Sequence, residues 1–253
     1  MNKFAAKAAL AGMLASLPAA GAFAQDTGAP AVRELSPVTI HRTKNPGDLR
    51  YAGFLSVWRF LQSILPPEPR VLEPRYRLSF TGLSGPERDD YRPGTWAVAI
   101  VGDSFDHPIE VERGGYFVLP ELPQALKENA TIMFNAQTRK NYLDLAWKFR
   151  IGQDQALSYA DFAQAFTEVA AVQNRISVLQ IHLRDEKNAR FDGLKACFDK
   201  GQGRIDIDGQ PAATTKAGSC QVLKFDPAVA RSSQARIAFV GPLDSVTLHE
   251  TGT

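Results

Sequence analysis

Residues 98–106 read VAIVGDSFD, an apolar run ending in Gly102-Asp103-Ser104. A serine placed at a strand end, after a glycine that permits a tight turn, is positioned to attack an ester carbonyl if a base and an acid reach it. Late in the chain Asp244 and His249 offer an acid and a base, with four residues between them. A second chemistry lies alongside. Asp103, Asp106, His107, Glu110 and Glu112 fall within ten residues and carry donors for a hard cation or zinc. Each feature also has a plainer reading. Gly, Asp and Ser are common turn formers, and Glu110 and Glu112 alternate with Ile109 and Val111 as the wet face of an edge strand does. The other histidines, His41 and His182, complete no HxH or HxxxH pair, and residues 206–209 (DIDG) lack the further oxygen ligands of a calcium loop and predict a hairpin turn.

The 98–106 segment resembles the first block of the GDSL/SGNH lipases and esterases. That resemblance implies a nucleophilic Ser104 served by Asp244 and His249. The chain departs from the family pattern: strand-like IEVE and GYFVL follow the serine where a helix is expected, no Gly-x-Asn-Asp occurs, and the late acid-histidine spacing is too long. Residues 96–122, with Gly114-Gly115-Tyr116-Phe117 leading to Leu119-Pro120, resemble the prealbumin-like sandwich modules of secreted proteins, which implies a partner-binding or stabilising role without catalysis. Residues 35–40 (LSPVTI) resemble the energy-coupling box of outer-membrane receptors; no barrel pattern follows, and alternating Val and Ile suit any first strand.

The compartment is read from the first 24 residues. Lys3 and Lys7, an apolar run over 8–17 and Ala22-Phe23-Ala24 predict a signal peptide cleaved near Ala24, followed by a periplasmic or extracellular protein with no transmembrane segment. The chain has 29 Lys+Arg and 27 Asp+Glu, and the leader holds two of the lysines and no acid, so the remainder is neutral. Interleaved, balanced charge leaves no footprint for nucleic acid. The only two cysteines, Cys197 and Cys220, follow the leader, and in an oxidising compartment they predict one disulfide stapling a polar loop over 199–219.

Around these residues the pattern is mainly β. A helix is expected over 48–65, opened by Asp48 and stopped by Pro66-Pro67, with Phe54, Trp58, Leu61 and Leu65 at helical spacing. Its large apolar surface docks on a sheet or meets a protein partner. Period-two runs follow at 75–80, 95–101, 109–112, 116–119, 130–135 and 143–151. A second helix starts at Ser158, with Phe162, Phe166, Val169 and Val172 on one face. Strands resume at 176–183, 193–198, 204–207, 221–225, 236–240 and 245–249. Connections this short favour antiparallel pairing, hence a β-sandwich or open barrel with two helices. The expected divisions are a leader (1–24), a flexible arm (25–37) that gains an extended strand at 37–42, a sandwich-like domain with an N-terminal helix (38–155) and a helix plus disulfide-stapled β region (156–253). No complete catalytic or metal constellation can be assembled from the sequence, and no cofactor is implied. The expected function is a non-catalytic binding or structural protein, with a serine hydrolase as the alternative.

Overall fold

Alternating apolar residues build three antiparallel sheets in the computed structural model, which describes residues 47–80, 82–135, 138–176, 189–230 and 234–251. The expected leader, arm and strand at 37–42, His41, His182 and residues 177–183 of one expected strand lie outside the described residues. The largest sheet has the order β12 (Thr215–Ala217), β13 (Cys220–Lys224), β9 (Phe191–Phe198), β15 (Leu243–Glu250), β7 (Thr138–Phe149), β2 (Leu72–Phe80) and β5 (Tyr116–Phe117). A second runs β1 (Leu49–Arg50), β6 (Thr131–Phe134), β3 (Val98–Val101), β4 (Asp106–Ile109). The third runs β11 (Gln210–Pro211), β10 (Arg204–Ile207), β14 (Arg236–Val240), β8 (Ala156–Ser158). The sheets are open, and no closed barrel forms among the described residues. The seven-stranded sheet takes strands from both sides of residue 155.

Two long helices stand where periodicity puts them. α1 (Tyr51–Ile64) buries Tyr51, Leu55, Trp58 and Leu61, with Phe54 and Trp58 packed on the Tyr76 ring at 4.5 and 4.9 Å. Its outward side is Ala52, Gly53, Ser56, Arg59, Gln62 and Ser63, so the apolar face considered for a partner is covered by the protein's own sheet. Asp48 does not cap this helix. Its carboxylate accepts the Phe134 N–H at 3.3 Å, and Leu49–Arg50 pairs with β6, so pairing in a sheet displaces the expected cap. Three one-turn helices, α2 (Gly85–Asp89), α3 (Pro123–Lys127) and α5 (Pro227–Ala230), were not expected; they are too short for periodicity to reveal. The fourth in chain order, α4 (Tyr159–Arg175), is capped by Ser158, whose hydroxyl accepts the Asp161 N–H at 2.9 Å. It buries Phe162, Val169 and Val172. Its buried Glu168 accepts the N–H groups of Val71 and Leu72, both at 3.0 Å, and so anchors the start of β2.

The edge strand expected at 109–112 lies earlier, at β4. There Asp106, His107 and Pro108 are exposed, and a proline that cannot donate sits on an edge. Asp208 and Gly209 have φ of 50° and 77° and join β10 to β11 as the two-residue hairpin turn that the DIDG run predicts.

Candidate functional site

Gly102-Asp103-Ser104 is the turn between β3 and β4, closed by the Gly102 N–H donating to Phe105 O at 2.9 Å. Ser104 Oγ donates to Glu128 Oε1 at 2.6 Å and accepts from Gln124 Nε2 at 2.8 Å, while its backbone N–H donates to Glu128 Oε2 at 3.0 Å. The bonds from Ser104 and Gln124 hold the Glu128 carboxyl down at about 2. A carboxylate that weakly basic is a turn brace and a poor proton acceptor.

The expected base and acid are engaged elsewhere. His249 Nδ1 lies 2.8 Å from Asp192 Oδ1, and the same Asp192 binds Lys224. Asp244 is paired with Arg113. Both residues sit on β15, five positions apart, which separates them by about 16 Å along an extended strand. Ser104, Asp244 and His249 are thus not brought together. The carboxylate group around His107 does not gather either. Asp103 lies in the turn, Asp106 and His107 on an exposed edge, and Glu112 turns away to Lys148 and Arg75. The prealbumin-like segment is split between sheets, with β3 and β4 in one and β5 in another.

The polar chemistry gathers instead around α2, where it meets the seven-stranded sheet. Ser84 and Glu87 form a capping box that starts α2, with Pro86 in its first turn. This one-turn helix delivers Asp89 inward and Asp90 outward. Asp89, 5 % exposed, binds Arg77, itself 6 % exposed, and accepts from Lys195 Nζ at 2.7 Å. Arg77 Nε also donates to Gly114 O at 2.9 Å, and its guanidinium stacks 4.8 Å from the Tyr116 ring centroid. Burial, with Arg77 close by, brings the Lys195 ammonium down to about 8 against the pull of Asp89. Burial pushes the Tyr116 phenol up.

Beside this buried cluster, Arg113 holds the outer one together. Its guanidinium binds Asp244 and Asp90 and donates to Phe198 O at 2.9 Å and Ser219 Oγ at 2.7 Å. Ser219 in turn donates to Asp90. Burial raises Asp90, but the bonds from Ser219 and Arg113 outweigh it and hold the carboxyl below its ordinary value. Arg92 closes the rim with longer contacts, 3.2 Å to Asp199 and 3.4 Å to Asp244. The result is a cleft of about 510 Å³ lined by Arg92, Arg113, Lys200, Lys216, Asp90 and Asp199, with the backbone of Gly201 and Gly218.

A disulfide fixes two walls of the cleft. Cys197 of β9 and Cys220 of β13 are directly opposite in register, with Cα atoms 3.9 Å apart, as the sequence predicts. Asp199–Gly201 leaves the strand end just beyond Cys197, and Gly218-Ser219 turns into Cys220. The stapled region contains the strand expected at 204–207, β10, and two short strands that were not expected, β11 and β12. Asp89 and the two sulfurs form the one grouping with metal-ligand spacing among the described residues, within 4.8 Å of one another. The sulfurs are bonded to each other and the carboxylate is taken by Arg77 and Lys195, so this donor set does not suit a metal.

Sequence reasoning missed this cleft. Its lining residues come from four separated segments, and only the paired acids Asp89-Asp90 and the polar run stapled by Cys197 and Cys220 hint at it. Comparison with protein-family models, with curated proteins and with solved structures finds no match to this chain.

Proposed function

We propose that this chain is a non-catalytic binding protein that works after export into an oxidising compartment and presents the Arg113 cleft as its binding surface. One observation carries the reading: the candidate nucleophile, base and acid each serve a separate structural bond, whereas four cations and two carboxylates converge on a single concave surface. Export with cleavage near Ala24 fits the leader pattern and the Cys197–Cys220 bridge. It fits as well with the fact that no helix among the described residues is long and apolar enough to cross a membrane. Large apolar side chains exposed on the described surface are few and scattered, Val118, Leu126 and Val240, so recognition is polar.

The test compares ester hydrolysis by the purified, oxidised protein and its Ser104→Ala variant across short- and long-chain p-nitrophenyl esters. Rates equal to buffer for both proteins are the expected result. Turnover that disappears in the variant would overturn the reading in favour of a serine hydrolase.

A further inference from the structure

We propose that the Arg113 cleft binds a small oxyanion of the phosphate or dicarboxylate class, held by Lys200, Lys216 and Arg92 at its rim. The inference rests on the reading of the chain as a binding protein and names the ligand chemistry of that site.

Three observations converge. The first is unequal pairing. Arg113, its side chain 8 % exposed, is saturated by Asp244, Asp90, Ser219 and Phe198 O, so it fixes the floor of the cleft and leaves the attraction of an anion to the rim cations. Above it, Lys200 and Lys216 are exposed and make no ion pair among the described residues. Arg92 reaches Asp199 and Asp244 only at 3.2 and 3.4 Å, longer than the usual charge-assisted bond of about 2.7–2.9 Å, so it can exchange those contacts for an incoming oxyanion. Against these three cations stand Asp199 and the one carboxylate charge that Arg113, shared between Asp90 and Asp244, leaves uncompensated.

The second observation is backbone conformation. Lys200 stands at φ 51°, in the left-handed region that glycine enters easily and a side-chain-bearing residue enters at a cost. Gly201 follows at φ 67°. The turn is pinned by Gln202 N–H to Asp199 O at 3.0 Å and Asp199 N–H to Pro242 O at 2.8 Å. The turn sets Lys200 in the lining of the cleft.

The third is preorganisation. Lys200 lies three residues beyond Cys197 and Lys216 four before Cys220, so the disulfide sets the spacing of the two arms. With the backbone of both arms tied, the loops that carry the lysines around a cavity of about 510 Å³ lose little freedom on binding an anion. Because the rim lysines are wet, the affinity is modest and falls with salt.

The experiment is a backbone amide NMR titration of the disulfide-intact protein with inorganic phosphate, and separately with succinate, at constant ionic strength set with sodium chloride. Saturable shifts confined to residues 92, 199–201 and 216–219 are expected. The stronger of the two anions identifies the class, and saturation by neither overturns the proposal. A Lys200→Gly, Lys216→Gln double variant should bind at least about tenfold more weakly while Lys200→Gly alone keeps or raises the melting temperature. Equal binding by the double variant would sink the proposal. Should the double variant fail to fold, Lys216→Glu on the exposed edge strand makes the same test, with binding lost if the proposal holds and retained if it does not. Failure of anion binding leaves the ester-hydrolysis result untouched, so the two readings fall separately.

Discussion

Asp89 and Asp90 leave α2 in opposite directions and enter two ionic clusters of similar composition. The inner one sets Asp89 between Arg77 and Lys195, all nearly sealed from water. In the outer one Asp90, its side chain 48 % exposed, lies against Arg113 and Ser219 at the edge of an open cleft. The same chemistry does different work on the two sides. Inside, water cannot replace a missing partner, so the cluster is all-or-none. Outside, solvent stands in for any partner that moves, so contacts can be exchanged for a ligand's.

The largest effect expected from that contrast belongs to Asp89. An Asp89→Ala change strands two buried cations and should cost about 3–5 kcal/mol in urea unfolding; a loss below about 1 kcal/mol would show that water reaches the inner cluster. Next comes the covalent tie between the clusters. Replacing Cys197 and Cys220 together by serine should remove about 3 kcal/mol by loop-closure reasoning and broaden the amide signals of residues 199–201 and 216–219. Lost stability with those signals unchanged would separate the disulfide from the cleft.

Lys195 gives the third effect. Its folded value of about 8 lies below the ordinary lysine value of 10.5, so between those values the unfolded chain carries a proton that the folded chain lacks. Stability of the wild type relative to Lys195→Met is therefore expected to be flat below about pH 8 and to rise toward pH 10.5, by up to about 3 kcal/mol. A difference that falls with pH, measured by denaturant unfolding at stepped pH, would mean that the ammonium is a net stabiliser. Asp90→Ala should do least, within about 1 kcal/mol, because Arg113 keeps Asp244 and Phe198 O and gains water. A loss as large as that at Asp89 would erase the distinction between the two clusters.

How much of this the sequence discloses depends on range. Helix α4, with its Ser158 cap, and β14 are legible because their signals are local: a cap followed by a period of 3.6, and alternation bounded by turn residues. The Asp208-Gly209 turn and the disulfide are equally legible from residue type and count. Asp48 misleads because capping is a local preference that pairing with β6 overrides. The Ser104 motif misleads in another way. Its residues satisfy a short pattern, but the base and acid that would give it meaning are placed by long-range topology, and here topology supplies Glu128 and Gln124. The cleft is illegible for the same reason, since Arg113 meets Asp244 across 131 positions and Ser219 across 106. No window of sequence contains that meeting.

Strand β15 lies between β9 and β7, so it is the seam that makes one sheet of what would otherwise be two. It is also the last strand described in chain order. A chain emerging from a ribosome therefore has to deliver residues 243–250 before either neighbour is paired on both sides. Until then β7 and β9 present raw edges, the state in which sheet proteins stick to one another. The yield of folded protein should accordingly hinge on this strand more than on any surface loop, and a nonsense mutation just before Leu243 would turn a folding problem into an aggregation problem.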